Sequence, residues 1–306
     1  MVNVILDIIA TTLRLATPLI FAALGGVISE KSGVVNIGIE GMLVTGAFFA
    51  VAGTLATDSL IVGVMCGMAA GAAIAALHAV LSIKFKADQV ISGVAINILA
   101  GALSSYLIFQ FYDIHSQTAG IEPMSYPREM FEKIPVIGRV LGQLNWYVYG
   151  AIILVILVHF VFKKTALGLR IRAVGEHPKA ADTMGVNVIR LRYICVLLSG
   201  VFAGLGGASL AMNNMLFREG MVSGRGFIAL AAVIFGNWNP VGAFLACLLF
   251  GFADALKIQA PALGWSLPTE VYFAMPYVLT MLALAGFVGK TTAPAADGVP
   301  YEKGSR

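Results

Sequence analysis

The sequence predicts an all-α fold, a polytopic bundle of about eight transmembrane helices with one additional re-entrant half-helix. Two features of the 306-residue chain lead to this prediction. Hydrophobic residues make up 59% of the sequence, and charged residues make up only 12%, against ~25% in an average soluble domain. A soluble core of this size could not bury so much apolar surface. The composition therefore excludes a soluble enzyme, a nucleic-acid-binding module and a disordered regulator.

Apolar windows long enough to cross a bilayer, ~20 residues each, define the predicted spans in chain order. One long window is interrupted at 237–240 by Asn-Trp-Asn-Pro, where proline cannot continue a regular helix. We therefore divide it into a half-helix at 227–236 and a full span at 241–256. The remaining predicted spans are 4–27, 38–57, 60–83, 89–112, 146–162, 191–212 and 271–288.

Lysine and arginine residues set the predicted orientation, because short loops rich in them stay in the cytoplasm. Seven of the twenty basic residues lie between 163 and 192, against two acidic residues. We therefore place this loop in the cytoplasm and the 113–145 loop outside. Residues 1–290 form a single membrane domain in this prediction. The polar, proline-containing tail at 291–306 is predicted to be disordered.

The cytoplasmic loop contains the signature of a short helix beginning at Pro178 and ending at Gly185. Proline is favoured in the first turn of a helix, and glycine can end one in the left-handed conformation. Glu176 lies favourably near the positive end of this helix. From the residues alone, the segment is equally well explained as a solvated loop or as a docking helix for a cytoplasmic partner.

Four sequence segments carry a family resemblance. They are the glycine-rich stretch at 25–41, the stretches at 87–97 and 226–236, and the pattern Ala180-Ala181-x-x-x-Gly185. Together they resemble ABC importer permeases of the branched-chain amino acid/ribose class, and more narrowly the nucleoside branch. The last pattern resembles the loop that couples such permeases to their ATPase, with Lys179 where the family has Glu. The resemblance implies a cytoplasmic coupling loop at 163–190 whose key residues are Gly168, Arg170, Arg172, Glu176, Pro178, Ala180, Ala181 and Gly185.

The same resemblance implies a transport subunit with no catalytic residue of its own. It would carry a small polar solute, nucleosides in the first place, with simple sugars or branched-chain amino acids as alternatives. The implied partners are an ABC ATPase, a second homologous permease and an extracellular substrate-binding lipoprotein, in the plasma membrane of a bacterium. A self-sufficient secondary carrier is a further alternative, disfavoured by the docking loop. No nucleic-acid partner is expected.

Polar side chains inside the spans are candidates for the solute path, because such groups are costly in a bilayer. Glu40 follows Asn36 in a glycine-rich stretch where a helix could break and expose backbone groups to a solute. The alternative is that Glu40 pins the end of a neighbouring helix. Gln89 and Asn97 share one face of the fourth span, where they line the path or bond to adjacent helices. The histidines and cysteines lack ligand spacing, so no metal site or cofactor is predicted.

Overall fold

The computed structural model of this chain describes residues 2–112, 116–131, 134, 137–259, 268, 270–271, 274, 278, 281 and 291–304. The backbone of these residues forms α-helices joined by short connections, with a π-helical turn, Val80–Lys84, at the end of the third helix. The helices are α1 (Val2–Glu30), α2 (Ile39–Thr57), α3 (Leu60–Ala79), α4 (Gln89–Tyr112), α5 (Arg128–Phe131), α6 (Ile137–Leu141), α7 (Trp146–Lys164), α8 (Ala166–Glu176), α9 (Pro178–Thr183), α10 (Val188–Asn214), α11 (Arg225–Phe235) and α12 (Pro240–Gln259).

Seven of these helices, α1, α2, α3, α4, α7, α10 and α12, are long and apolar enough to cross a membrane. They match seven of the eight predicted spans to within three residues at either end, which confirms the predicted helical bundle. The predicted half-helix is α11, an eleven-residue apolar helix. The eighth predicted span, 271–288, falls largely outside the described residues.

The centre of the bundle lies where α10 packs against α1, α2 and α3. Glycine brings the backbones together there. A Cβ added at Gly71 of α3 would lie 2.2 Å from the carbonyl oxygen of Gly200, and one at Gly67 would lie 2.7 Å from that of Gly46. Apolar side chains have no hydrophobic incentive to associate in lipid, so close backbone packing of this kind is what holds membrane helices together.

Two breaks interrupt the helical backbone within the bundle. The first break comprises residues 31–38 between α1 and α2, and the second break comprises residues 236–239 between α11 and α12. In the second break Asn237 and Trp238 both adopt the left-handed conformation, with φ of 53° and 51°. The Asn-Trp-Asn-Pro sequence predicts a break here, and α11 does end at Phe235 and α12 begin at Pro240. Gly236 packs directly against Gly242 and Ala243 of α12.

The segment 291–304, which we call the strap, is the described part of the tail at 291–306, whose disorder stays a prediction from its composition. Its backbone is hydrogen-bonded to α8 and to the buried Arg192 of α10. Polar composition argues for disorder when a segment has too little apolar surface to bury. Composition does not describe partners elsewhere in the chain, and in this structure the buried guanidinium of Arg192 donates to carbonyl oxygens of the strap.

Candidate functional site

The first break is held by side chains from two other helices. Val35 donates its backbone N–H to Gln89 Oε1 at 2.7 Å, and its carbonyl oxygen lies 3.0 Å from Nε2 of the buried His78. Since a carbonyl can only accept, Nε2 carries the proton, and Nδ1 accepts from the hydroxyl of Ser92 at 3.0 Å. Both backbone groups of Val35 are therefore satisfied by tertiary contacts instead of by a helix.

Two asparagines complete the hold on the first break. Asn97 donates from Nδ2 to the carbonyl of Ile37 at 3.0 Å and accepts from the N–H of Gly41 through Oδ1 at 2.8 Å. Asn36 is fully buried and donates to Ser199 Oγ at 2.9 Å. Its Oδ1 has no hydrogen-bond partner among the described residues. The amide groups of Gln89 and Asn97 are thus engaged with the backbone, and Asn36 alone of these three retains a spare acceptor there.

Glu40, at the start of α2, binds the N-terminal end of the half-helix α11. Its Oε1 accepts from the N–H of Gly224 at 2.7 Å and its Oε2 from that of Gly226 at 2.6 Å. A carboxylate in this position satisfies N–H groups that lack an intrahelical partner and complements the positive end of the helix dipole. A Cβ added at Gly226 would lie 2.5 Å from Cα of Glu40, so glycine is required for this approach. This geometry corresponds to the alternative in which Glu40 pins the end of a neighbouring helix.

The two breaks are joined directly. The indole Nε1 of Trp238, in the second break, donates to Oε2 of Glu30, the last residue of α1 before the first break. Glu30 is 5% exposed and Trp238 7%, so this bond lies inside the protein. The four predicted path residues and both breaks therefore belong to one connected polar region in an otherwise apolar bundle.

The coupling loop contains the predicted short helix, α9, which begins at Pro178, and Gly185 follows it with φ of +83°. Both local signals are confirmed. Gly168 packs against the end of α7, where an added Cβ would lie 2.2 Å from the carbonyl of Val161. Ala181 is 5% exposed and faces its own chain, whereas Met184 is 83% exposed. The solvent-facing surface of this loop also includes Arg170, Arg172, Glu176, Lys179, Ala180 and Gly185.

His78, Ser199 and Arg192 support this region but were not identified from the sequence. Each is a polar residue within an apolar helix. They are 0%, 0% and 2% exposed, so their hydrogen-bond partners lie inside the protein. A histidine or arginine inside a predicted span is energetically costly in a bilayer. That cost is the signal that could have identified His78 and Arg192 from the sequence.

Membrane transporters use non-helical backbone and polar side chains between their helices to contact a solute. The described residues combine both features with seven helices of spanning length. By class, the chain is a multi-pass membrane transport protein. It belongs to the family described as branched-chain amino acid transport system / permease component, which matches residues 8–284. The predicted family resemblance is confirmed, and as a permease component the chain is one part of a transport system of the cell membrane.

Relatives align with the chain over nearly its whole length. The Guanosine ABC transporter permease protein NupQ of Bacillus subtilis (strain 168) is 45% identical, over 100% of this chain and 99% of the relative. The Nucleoside ABC transporter permease protein NupC of Lactococcus lactis subsp. cremoris (strain MG1363) is 41% identical, over 99% and 98%. A Haloferax volcanii protein described as Putative glucose ABC transporter permease protein TsgC13 is 38% identical, over 84% and 78%.

Proposed function

We propose that this chain is the membrane-spanning permease subunit of an ABC importer and that it carries nucleosides across the cell membrane. The observation that carries the proposal is the similarity, along essentially the full length, to relatives named for guanosine and nucleoside transport. ATP is hydrolysed by a partner ATPase in this proposal, and the chain itself performs no catalysis.

The chemistry of the breaks suits an uncharged polar solute. Gln89, Asn97 and Asn36 offer amide groups, and the carboxylate of Glu40 is engaged by two backbone N–H groups of the half-helix. A nucleoside needs hydrogen-bonding partners for its ribose and base and little fixed charge. We therefore propose that Asn36, Gln89 and Asn97 shape the solute path by fixing the first break, and that Glu40 does so by holding the half-helix. In this proposal the unpartnered Oδ1 of the buried Asn36 becomes available to a solute when the first break moves.

The coupling loop is the proposed docking site for the ATPase. Met184 and Lys179 are exposed at its tip, with Arg170 and Arg172 on the preceding helix. An exposed methionine is suited to a hydrophobic cleft on a partner because its side chain is flexible and polarizable. Because Ala181 packs inward, we expect the docking surface to be formed by its neighbours Lys179, Ala180 and Met184. A second homologous permease and an extracellular substrate-binding lipoprotein complete the proposed importer.

A sugar is the second candidate solute, because the Haloferax volcanii relative is named for glucose. The experiment is uptake of radiolabelled guanosine, adenosine, ribose, glucose and leucine by cells of the native host that lack this chain. The expected result is loss of guanosine and adenosine uptake, with restoration by the wild-type chain. Loss of sugar or leucine uptake with normal nucleoside uptake would overturn the nucleoside assignment. Uptake driven by an ion gradient in vesicles containing this chain alone would support the secondary carrier instead.

A further inference from the structure

The strap is attached to the coupling loop at the end of α8. Ala296 donates its N–H to the carbonyl oxygen of Gly175 at 2.8 Å, and Ala295 donates to Oε2 of Glu176 at 3.2 Å. Gly175 is packed between two segments, because an added Cβ would lie 2.2 Å from the carbonyl oxygen of Lys31 and 3.4 Å from Pro294. The last turn of α8 is therefore enclosed by the strap on one side and by the start of the first break on the other.

The strap is also attached to the first break, through Arg192. This guanidinium is 2% exposed, and it donates to the carbonyl of Val299 at 2.8 Å, of Ala296 at 3.5 Å and of Ser32 at 3.1 Å. One buried cation thus bridges the strap and the break. Because an unpaired buried charge is far more costly than an unpaired amide, separation of the strap from the break is strongly opposed.

Two further contacts extend the attachment across the bundle. Thr292 donates its N–H to Asn237 Oδ1 in the second break at 3.0 Å. At the other end of the strap, Glu302 forms an ion pair with Lys86, just before α4. Gly298 lies beside the first break, since an added Cβ would sit 3.5 Å from Val35 Cγ2. The strap therefore contacts the coupling loop, both helix breaks and the approach to α4.

We propose that the strap is a mechanical link that transmits displacement of the coupling loop to the two helix breaks during transport. The inference rests on the proposed function, in which an ATPase moves this loop and the breaks border the solute path. Because the strap is hydrogen-bonded to the coupling loop and to the breaks, displacement of one displaces the other as long as these bonds are retained. The buried Arg192 supplies that retention at the first break, and the two N–H donors to α8 supply it at the coupling loop.

The test is deletion of residues 291–306 from the chain in the assembled complex with its ATPase, second permease and binding protein. Uptake and ATP hydrolysis are measured together in proteoliposomes. The expected result is a loss of uptake of about tenfold or more, in the range of typical coupling free energies, while the ATPase remains bound and hydrolyses ATP. Uptake equal to that of the wild-type complex would overturn the proposal.

A matched pair of glycine variants decides the question if the shortened chain does not assemble. Gly298→Ala and Gly304→Ala each place a side chain at a left-handed position of the strap, with φ of +77° and +83°. Gly298 lies between Ala296 and Val299, whose carbonyl oxygens both bind Arg192. By contrast, no atom of the described residues lies within 4 Å of a Cβ added at Gly304. We expect uptake to fall in Gly298→Ala and to stay at the wild-type level in Gly304→Ala. Equal uptake in the two variants would refute the link.

The outcome is separable from failure of the proposed function. Uptake is measured with whichever solute the wild-type complex transports, so a sugar substrate would correct the solute assignment and leave the strap test intact. Nucleoside uptake that survives both the deletion and Gly298→Ala would leave the proposed function standing and remove the strap from it.

Discussion

The two helix breaks differ in where their backbone hydrogen bonds come from. In the first break, residues 31–34 donate their backbone N–H groups to carbonyls no more than five positions earlier. The backbone groups of Val35 and Ile37 are instead bound by His78, Gln89 and Asn97, which all lie more than forty residues away. In the second break, each of the three residues after Gly236 donates its backbone N–H to a carbonyl no more than five positions earlier. The second half of the first break therefore depends on the assembled bundle, whereas the backbone of the second break is closed by local bonds.

This difference separates two roles. A break held by side chains of several helices changes shape when those helices move, because its hydrogen bonds cross the interfaces between them. A break closed by local backbone bonds keeps its shape and moves as a unit. We infer that residues 35–38 of the first break are the more responsive part, and that the backbone of the second break moves more nearly as a unit with α11 and α12.

The most severe disturbance should come from Glu40, the residue that connects the first break to the half-helix. Glu40→Leu leaves the N–H groups of Gly224 and Gly226 without their charged acceptor. We expect a loss of about 3 to 5 kcal/mol of stability, from two hydrogen bonds to a charged group. Glu40→Gln keeps one acceptor oxygen and should lose about half as much, with partial uptake retained.

The measurement for Glu40 is thermal unfolding of the purified variants, with uptake and ATP hydrolysis of the assembled complex recorded alongside. Reduced thermal stability together with loss of both activities identifies Glu40 as a structural pin. If Glu40→Leu unfolds at the wild-type temperature and hydrolyses ATP but transports nothing, the carboxylate serves the solute and the pin assignment is wrong.

The contrast between the breaks is tested by two asparagines, one that binds the first break from α4 and one within the second break. Asn97→Leu leaves the carbonyl of Ile37 in the first break and the N–H of Gly41 in the first turn of α2 unpaired, at a cost of about 2 to 3 kcal/mol. The control is Asn239→Ala, which removes only the cap on the N–H of Val241 at the start of α12 and should cost about 1 kcal/mol. Chemical denaturation in detergent compares them, and equal losses would mean that the first break does not depend more on distant contacts.

The smallest expected effect is a pH dependence of the strap, which touches both breaks. Burial raises the pKa of Asp297 to about 7, although the charge of Arg192 and, more weakly, that of Lys31 favour its ionised form. The carboxyl of Glu30 also faces it. A carboxyl with a raised pKa in the docked state favours docking when protonated. The contribution of Asp297 to the stability of the docked strap is complete below about pH 4, the ordinary pKa of Asp, and is lost as the pH rises through about 7.

We therefore expect the strap to open more often at pH 8 than at pH 6. The measure is maleimide labelling of Ala296→Cys, which is buried at 9% exposure, relative to Val299→Cys, which is 54% exposed, in a cysteine-free chain. The ratio removes the intrinsic pH dependence of thiol reactivity. The ratio should rise between pH 6 and 8 in the parent chain and stay flat with Asp297→Asn. A flat ratio in both would show that Asp297 does not control docking.

Local signals were sufficient for much of this structure. The seven described spans follow from uninterrupted apolar length, because a bilayer leaves the backbone no alternative to the helix. Pro178 and Gly185 bound the short helix α9, and Asn237 to Pro240 mark the second break, through conformational preferences that belong to the residues themselves. The cytoplasmic assignment of the coupling loop likewise comes from charge counting alone and stays a prediction.

Tertiary structure decided the remaining features, because their partners are remote in sequence. Polarity identified Gln89, Asn97 and Glu40 as unusual in a membrane, but only the packed bundle assigns their oxygens to Val35, Gly41 and the half-helix. The strap is the clearest case, since its composition predicts disorder. Whether a polar segment is ordered depends on the donors and acceptors that the rest of the chain presents to it, and here a buried Arg192 requires the carbonyl groups that the strap provides.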